Sequence, residues 1–213
     1  MRILLAAATP FEIKTLTERL PADVRPVITG VGLVSTTYHL QKAIAAHKPG
    51  LVIQAGIAGC FDPRYALGGL VAVSEEVIAD LGVEENGRFR DLADLGLLAP
   101  GEDGRLPNPH LSKFTFPWPA GPGISVSEIT TRPDRIRWYT DHYAPVVESM
   151  EGAALHYVCL QERVPFLQVR ALSNYIGERD KSRWQIGPAL AALHEGLTLL
   201  LDTLTPDILN TTL

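Results

Sequence analysis

The sequence predicts a three-layer α/β/α fold with a central mixed β-sheet, and three observations support this. Apolar runs of strand length alternate with helical patterns along the chain. Residues 2–7 are apolar without interruption after Arg2, which is typical of a central strand covered on both faces. An Asn86-Gly87 turn predicts a hairpin, which adds antiparallel pairing and makes the sheet mixed. We expect one domain over residues 1–213.

In the first third of the chain, the pattern of apolar residues predicts strands at 2–7, 24–29 and 51–55 and helices at 10–20 and 33–47. Thr9-Pro10 fits the cap and first residue of a helix. The Gly30-Val31-Gly32 turn superficially matches the dinucleotide-binding fingerprint. Its last position is Ser35, however, and the following strand ends without an acidic residue, so a dinucleotide site is weakly supported. Residues 55–61 predict a glycine-interrupted loop whose backbone can approach a ligand.

The rest of the chain predicts strands at 69–79, 123–127, 144–147 and 166–172 and helices at 133–143 and 184–203. The strand at 69–79 carries Glu75 and Glu76 in its middle. Residues 92–123 contain six prolines and predict irregular structure. This segment carries Phe114, Phe116 and Trp118, and the sequence leaves open whether it is a functional lid or interface element, or a hydrophobic strap over the core.

Composition excludes several classes of function. The net charge is −5 and the chain has no run of Lys and Arg, which argues against a nucleic-acid partner. Cys60 and Cys159 lack metal-ligand spacing and fit free thiols in a reducing compartment. The first apolar run is too short for a signal peptide, and no run reaches membrane-spanning length. We therefore expect a cytoplasmic protein with no membrane partner, no metal and no other cofactor.

Two carboxylates open the apolar run that begins at Val147. Because residues three apart share a helical face, we expect Glu148 and Glu151 to point the same way at a helix N-terminus. Small residues follow at 152–154 and allow close packing, so a buried carboxylate here needs donors. A sugar diol would suit, since each hydroxyl can donate to a carboxylate oxygen. The alternative is that these acids only complement the helix dipole, which fits Glu148 better than Glu151.

Glu12 and Arg170 are the other charged candidates. Glu12 follows the carboxyl end of the first strand, where open α/β sheets place their ligand crevices. Its alternative role is again to complement a helix dipole. Arg170 shares a strand face with Gln168 and Leu172 and needs a carboxylate partner, which Glu12 or Glu151 could supply.

Four features of the chain together resemble the nucleoside phosphorylase and nucleosidase superfamily. They are Glu12, the Gly30-Val31-Gly32 turn, the motif at 147–154 and the run Val169-Arg170-Ala171-Leu172-Ser173-Asn174. Within it, the chain looks most like the futalosine hydrolases of a menaquinone route, and more distantly like the methylthioadenosine/S-adenosylhomocysteine nucleosidases. The resemblance implies a nucleoside phosphorylase-like fold, hydrolysis of a purine nucleoside, and a homo-oligomer, dimer or larger. The alternatives are a methylthioadenosine/S-adenosylhomocysteine nucleosidase and a non-catalytic nucleoside-binding protein.

The resemblance also implies roles for individual residues. Glu12 would deprotonate the attacking water, and Arg170 would orient that water. The residues implied to contact the substrate are Met150 and Glu151 at the ribose, Ser127 and Ser173 towards the purine, and Ile57, which stands where methylthioadenosine nucleosidases commonly carry a serine near the water. No arginine lies in the Glu12 loop, which argues against phosphorolysis.

Asn174 is a departure from the adenine-releasing nucleosidases, which carry an aspartic acid there. An amide cannot give up a proton at neutral pH, but it can donate a hydrogen bond to purine N7 or to a 6-oxo group. The sequence therefore favours a 6-oxopurine such as hypoxanthine as the leaving group.

Overall fold

The computed structural model describes residues 1–204. Its strands are β1 (Ile3–Ala7), β2 (Val24–Ile28), β3 (Leu51–Cys60), β4 (Leu70–Ile78), β5 (Gly82–Glu85), β6 (Arg88–Asp91), β7 (Leu106–Pro107), β8 (Ala120–Ser125), β9 (Val147–Ser149) and β10 (Phe166–Tyr175). Its helices are α1 (Pro10–Thr17), α2 (Leu33–His47), α3 (Pro133–Tyr143), α4 (Gly152–Glu162) and α5 (Ile186–Thr203). The end of the expected domain, residues 205–213, lies outside the described residues.

The main sheet closes partly on itself. Strands β2, β1, β3 and β10 run parallel to one another in that order. β10 also pairs with β4, β4 with β8, β8 with β9, and β9 with the end of β3, so these five strands form a ring. The pairs β10–β4 and β3–β9 are antiparallel, which confirms the mixed sheet. The expected hairpin is present as β5–β6, but it forms a separate two-stranded sheet and is not what makes the main sheet mixed.

Helices cover both faces of the parallel part, as alternate residues of β1 show. Ile3 and Leu5 pack in a core cluster with residues of α1 and α5. Leu4 and Ala6 pack in a second cluster with residues of α2 and α4. Because successive side chains of a strand point to opposite faces, this division confirms the three-layer arrangement.

Two regions differ from the expected elements. β3 continues to Cys60 through the residues expected to form a loop, because β10 pairs with it along this stretch as far as Tyr175. The short strand before α4 covers Val147–Ser149 instead of 144–147, which places Glu148 in extended backbone. Both differences arise from pairing with distant strands.

The proline-rich segment is irregular apart from β7 and one 3-10 turn, Leu111–Lys113, and β8 begins at Ala120. Phe114 is buried, and the rings of Phe116 and Trp118 stack with centroids 5.4 Å apart. All three pack on the core cluster that contains the inner face of α5. This favours the hydrophobic strap for the aromatic part of the segment.

Cys60 and Cys159 are buried free thiols, as expected. Between residues 1 and 204, no helix is both long enough and apolar enough to cross a membrane. The same residues contain no group of three or more His, Cys, Asp or Glu side chains placed to hold a metal ion.

Candidate active site

Glu12 is held from two directions at the carboxyl end of β1. It is the third residue of α1, and its Oε2 accepts hydrogen bonds from the backbone N–H of Thr9 (2.9 Å) and from Thr9 Oγ1 (3.1 Å). Its Oε1 accepts the backbone N–H of Ile57 in β3 at 3.2 Å. Glu12 therefore forms the capping box of its helix with Thr9, in the first turn where its charge also complements the helix dipole, and it reaches β3 as well.

Arg170 lies on β10 beside the same part of β3 and is only 1% exposed. Its Nη2 donates to Gln54 Oε1 at 2.8 Å, and its Nη1 lies 3.7 Å from Glu151 Oε2. A Cβ atom built on Gly56 would lie 2.5 Å from Arg170 Nη1 and 2.7 Å from Glu12 Oε1. Glu151 is thus the ion-pair partner, and the guanidinium and the Glu12 carboxylate both border the space above Gly56.

Glu151 is the N-cap residue of α4, and its Oε1 accepts the backbone N–H of Gly32 at 3.1 Å. Gly32 has a φ of 90° and is itself the N-cap of α2, so this turn needs a residue without a side chain. The glycine turn therefore presents a backbone donor to the Glu151 carboxylate. Met150, just before Glu151, is partly buried.

Glu148 does not join this cluster. It lies in β9, and its Oε1 accepts the backbone N–H of Thr130 at 3.1 Å. The expectation that Glu148 and Glu151 share a helical face is wrong, because the chain is extended at residue 148 and α4 begins only at Gly152. Burial raises the pKa of Glu148.

Asn174 and Ser173 lie further along β10, beside the end of β3. Asn174 pairs with Gly59 in the ladder after a shift in register between Leu172 and Asn174. Its Oδ1 lies 2.8 Å from Ser173 Oγ, and its Nδ2 donates to the carbonyl oxygen of Tyr175 at 3.1 Å. The amide is therefore oriented by its neighbours and keeps one N–H for another acceptor.

The structure therefore brings most of the predicted residues to one stretch of β3. Four of them surround Gly56: Glu12, Ile57, Arg170 and Glu151. Asn174 and Ser173 lie about 10 Å further along the strand, beside Gly59. Ser127 follows the end of β8 and is exposed, and its backbone N–H donates to Asp80 at 2.5 Å. Within residues 1–204 it makes no hydrogen bond to the other predicted site residues.

No role was predicted for Glu76, which is completely buried next to this site. Its Oε1 accepts from Gln168 Nε2 at 2.8 Å and its Oε2 from Ser125 Oγ at 2.9 Å. Ser125 Oγ in turn accepts the backbone N–H of Ala153 at 2.8 Å, in the first turn of α4. Burial raises the pKa of Glu76 to about 7, while Gln168, the charge of Arg170 and Ser125 act in the opposite direction. The sequence did contain a signal for a buried acid, because Glu75 and Glu76 are adjacent in a strand. Successive side chains of a strand point to opposite faces, so one of the two must face inward.

Several known proteins resemble this chain in sequence. The profile of the phosphorylase superfamily matches residues 6–196. A futalosine hydrolase from Thermus thermophilus is 35% identical over 185 residues, which cover 81% of this chain and 79% of that protein. A futalosine hydrolase from Streptomyces coelicolor is 35% identical over 151 residues, 69% of this chain, and this alignment spans 63% of that protein, slightly less than two thirds.

A solved structure shows the same fold. The native structure of futalosine hydrolase of Helicobacter pylori strain 26695 superposes with a TM-score of 0.80 at 16% identity, covering 96% of this chain and 98% of that one. The chain therefore belongs to the phosphorylase superfamily and, within it, to the futalosine hydrolase family.

Proposed function

We propose that this protein hydrolyses the N-glycosidic bond of futalosine, releasing hypoxanthine and dehypoxanthine futalosine, as a step of menaquinone biosynthesis. The observation that supports this most directly is the meeting of Glu12 and Arg170 above Gly56, beside the Glu151 carboxylate. In the reaction, the oxygen of water bonds to the anomeric carbon and the bond from that carbon to the purine nitrogen breaks. The electron pair of that bond leaves with the purine as an anion, and one proton of the water goes to Glu12. The purine anion then takes up a proton from solvent to give neutral hypoxanthine.

Glu151 is the residue that holds the sugar. Its Oε1 is tied to Gly32, and its Oε2 lies beside Arg170 at an ion-pair distance and not in a hydrogen bond. The carboxylate therefore retains acceptor positions for the two ribose hydroxyls, and charge-assisted hydrogen bonds of this kind contribute about 1.5–3 kcal/mol each. Met150 precedes it and supplies an apolar contact to the sugar.

Glu12 is the general base. The Thr9 and Ile57 hydrogen bonds fix the carboxylate and leave it acceptor capacity on the side of Gly56, where Arg170 also points. A water between these two groups has an acceptor for its proton and a donor to orient its oxygen. General base catalysis contributes about 10²–10⁴-fold to such a step.

Asn174 stabilises the departing purine. Its remaining N–H is available to N7 or to the 6-oxo group, and Ser173 holds the amide in place. A 6-aminopurine would find no proton donor here comparable to an aspartic acid. This favours futalosine over methylthioadenosine and S-adenosylhomocysteine, whose hydrolysis is the second candidate activity. Ser127 as a further contact to the purine stays a prediction.

We also propose the compartment of the enzyme and its oligomeric state. We place it in the cytoplasm as a homo-oligomer of two or more chains that acts on a small nucleoside without a nucleic-acid or membrane partner. Val34 and Tyr38 support the oligomer, because they are 87% and 59% exposed and lie one turn apart on α2, next to the glycine turn of the site. Light scattering after size-exclusion chromatography would measure the number of chains.

The decisive experiment is product analysis. The purified protein is incubated separately with futalosine, methylthioadenosine and S-adenosylhomocysteine, and the released base is identified by chromatography. We expect hypoxanthine from futalosine, with adenine release slower by about 100-fold or more. Adenine release without hypoxanthine release would favour the second activity, and binding of the nucleosides without release of any base would indicate a non-catalytic binding protein.

A further inference from the structure

Four buried side-chain atoms between β3, β10 and α4 have no hydrogen-bond partner among residues 1–204. They are Gln54 Nε2 in β3, Gln168 Oε1 and Arg170 Nε in β10, and His156 Nε2 in α4. Each of these four residues is at most 1% exposed. Buried polar groups in folded proteins nearly always have a partner in the chain or in an ordered water. Four unpaired atoms in one region therefore need a common explanation.

The strand register places three of these residues on one face of the sheet. Gln54 is opposite Gln168, and Gly56 is opposite Arg170, in the parallel pair of β3 and β10. Side chains alternate between the faces along a strand and paired residues share a face, so Gln54, Gln168 and Arg170 point the same way. The hydrogen bond from Arg170 Nη2 to Gln54 Oε1 shows that their side chains meet there.

Helix α4 covers this face and brings His156 to it. A Cβ atom built on Gly152, in the first turn of α4, would overlap Gln168 Nε2. His156 is four residues later and therefore lies on the same side of the helix. Its ring packs against that of Phe166, two residues before Gln168, with centroids 4.7 Å apart. After burial and a backbone hydrogen bond, Gln168 and the charge of Arg170 also act on the pKa of His156, so the imidazole is near both groups.

The hydrogen bonds that do form decide which of the unpaired atoms are donors. Arginine can only donate, so Gln54 turns its oxygen towards Arg170 Nη2 at 2.8 Å and its NH₂ group away from it. Gln168 donates from Nε2 to Glu76 Oε1 at 2.8 Å, which is the orientation that an ionised carboxylate requires. Gln54 Nε2 is therefore an unpaired donor, and Gln168 Oε1 is an unpaired acceptor.

His156 supplies the second acceptor. Its Nδ1 lies 2.7 Å from the carbonyl oxygen of Leu106, which can only accept, so Nδ1 carries the hydrogen. Burial lowers the pKa of His156 to about 4, so the ring is neutral near pH 7 and Nε2 has a free lone pair. The unpaired set thus has two donors, Gln54 Nε2–H and Arg170 Nε–H, and two acceptors, Gln168 Oε1 and His156 Nε2.

We propose that one buried water molecule binds these four atoms and, together with Gln54, fixes the guanidinium group of Arg170 in the active site. Water accepts two hydrogen bonds and donates two, which matches two unpaired donors and two unpaired acceptors. Gln54 and His156 are then positioning residues, because they act on the reaction through Arg170. The water site follows from the structure alone, whereas the role of Arg170 in the reaction rests on the proposed function.

Arg170 needs this support because the chain gives its guanidinium group few acceptors. Nη2 donates to Gln54, and Nη1 lies 3.7 Å from Glu151 Oε2 and borders the space above Gly56. A water bound to Nε would fix the plane of the guanidinium group, so that Nη1 stays beside the Glu12 carboxylate. In the proposed reaction Nη1 orients the attacking water, and a displacement of about 1 Å can lower the rate by about 100-fold.

A crystal structure tests the water site without turnover. Crystals are grown at about pH 8, because burial raises the pKa of Glu76 to about 7 and its carboxylate is then ionised. We expect one ordered water within about 2.7–3.2 Å of Gln54 Nε2, Gln168 Oε1, Arg170 Nε and His156 Nε2. A direct hydrogen bond between the two glutamine amides, or a water bound to fewer than three of the four atoms, would overturn the inference.

Kinetics test the positioning role. His156→Phe keeps a ring of similar size but removes an acceptor of the water, so kcat for release of hypoxanthine from futalosine should fall by about tenfold while KM changes by less than about twofold. His142→Phe makes the same substitution at an exposed position of α3 and should behave as the parent.

A double-mutant cycle separates positioning from a general loss of stability. In an Arg170→Met background, His156→Phe should cause no further loss of activity, because the group that the water positions is absent. Losses that multiply in the double variant would show that His156 acts independently of Arg170 and would overturn the positioning role. If His156→Phe does not fold, Gln54→Met removes a donor to the same water and completes the cycle. If the parent released no base from futalosine, the proposed function would fail, while the crystal structure would still decide whether the water site exists.

Discussion

Two buried carboxylates, Glu76 in β4 and Glu151 at the start of α4, differ in how completely the protein supplies them with hydrogen-bond donors. Glu76 receives a side-chain donor on each oxygen, from Gln168 and from Ser125, and is completely buried. Glu151 receives one backbone donor on one oxygen, and its other oxygen lies 3.7 Å from Arg170. Both need compensation for lost hydration, but only Glu76 obtains it entirely from the chain.

Under the proposed mechanism, this difference separates a structural acid, Glu76, from an acid that acts on the substrate, Glu151. Glu76 links β4, β8, β10 and the start of α4, so its hydrogen bonds hold elements together. Glu12 and Glu151 lie at the ends of elements, where backbone donors orient them and acceptor positions remain. Burial alone does not identify a site, whereas burial combined with unused acceptors does. Three substitutions test this distinction.

The largest effect is expected for Glu12→Gln. The amide preserves the size of the side chain but cannot take a proton, so kcat for release of hypoxanthine should fall by about 10³-fold. The measurement is steady-state release of the base, with thermal unfolding as a check on folding. Glu18→Gln, an exposed acid at the end of the same helix, is the control. Activity within a few-fold of the parent would remove Glu12 from the mechanism.

Gly56→Ala should have the next largest effect. The added methyl group would lie 2.5 Å from Arg170 Nη1 and 2.7 Å from Glu12 Oε1, so one of them must move. Displacement of a catalytic group by about 1 Å can cost about 100-fold in rate, which is the loss expected in kcat/KM. Gly187→Ala is the matched control, because nothing lies within 4 Å of the corresponding position at the start of α5. Equal activities of the two variants would show that the space above Gly56 is not needed.

Glu76→Gln should affect turnover least, by less than about tenfold, but should change how stability depends on pH. Burial raises the pKa of Glu76 from 4.5 to about 7, so the folded state binds the extra proton between these values. The free energy of unfolding should therefore fall as pH rises through this window, by about 3 kcal/mol in total from this group. The variant should lose that decrease.

Urea unfolding at pH 4.5 and pH 8 measures this difference. Glu75→Gln is the control, because Glu75 is on the same strand and pairs with Arg105 at the edge of the fold. Parallel pH profiles for the parent and Glu76→Gln would mean that Glu76 has the same pKa in the folded and unfolded states, and that its two donors offset its burial completely.

Inferences from neighbouring residues in the sequence predicted part of the site. Arg170 stood in an apolar run, and a buried charge needs a partner, so the sequence predicted Glu12 or Glu151 beside it. The ion pair is with Glu151. The hydrogen bond from Ile57 to Glu12 did not, because it depends on β3 continuing past the end of β1. The helical boundaries were reliable where a cap or a proline marked them, as at Pro10 and Pro133.

Other features depended on residues far along the chain. Gly56 and Gly59 suggested a loop, yet both lie within β3, where side chains of β10 occupy the space next to them. Glu148 was assigned to a helix because a three-residue strand is too short to leave a periodic pattern. The buried position of Glu76 and its hydrogen bonds were not predicted, because its donors, Gln168 and Ser125, are on other strands.

The shift in register at Ser173 has a consequence for reading related sequences. In a regular strand Asn174 would pair with Cys60, but the extra residue at the register shift sets it beside Gly59 instead. A homologue that lacked this insertion would need its amide one position nearer to the arginine. The number of residues between these two side chains is therefore a better guide to conserved chemistry than an asparagine at a fixed alignment column.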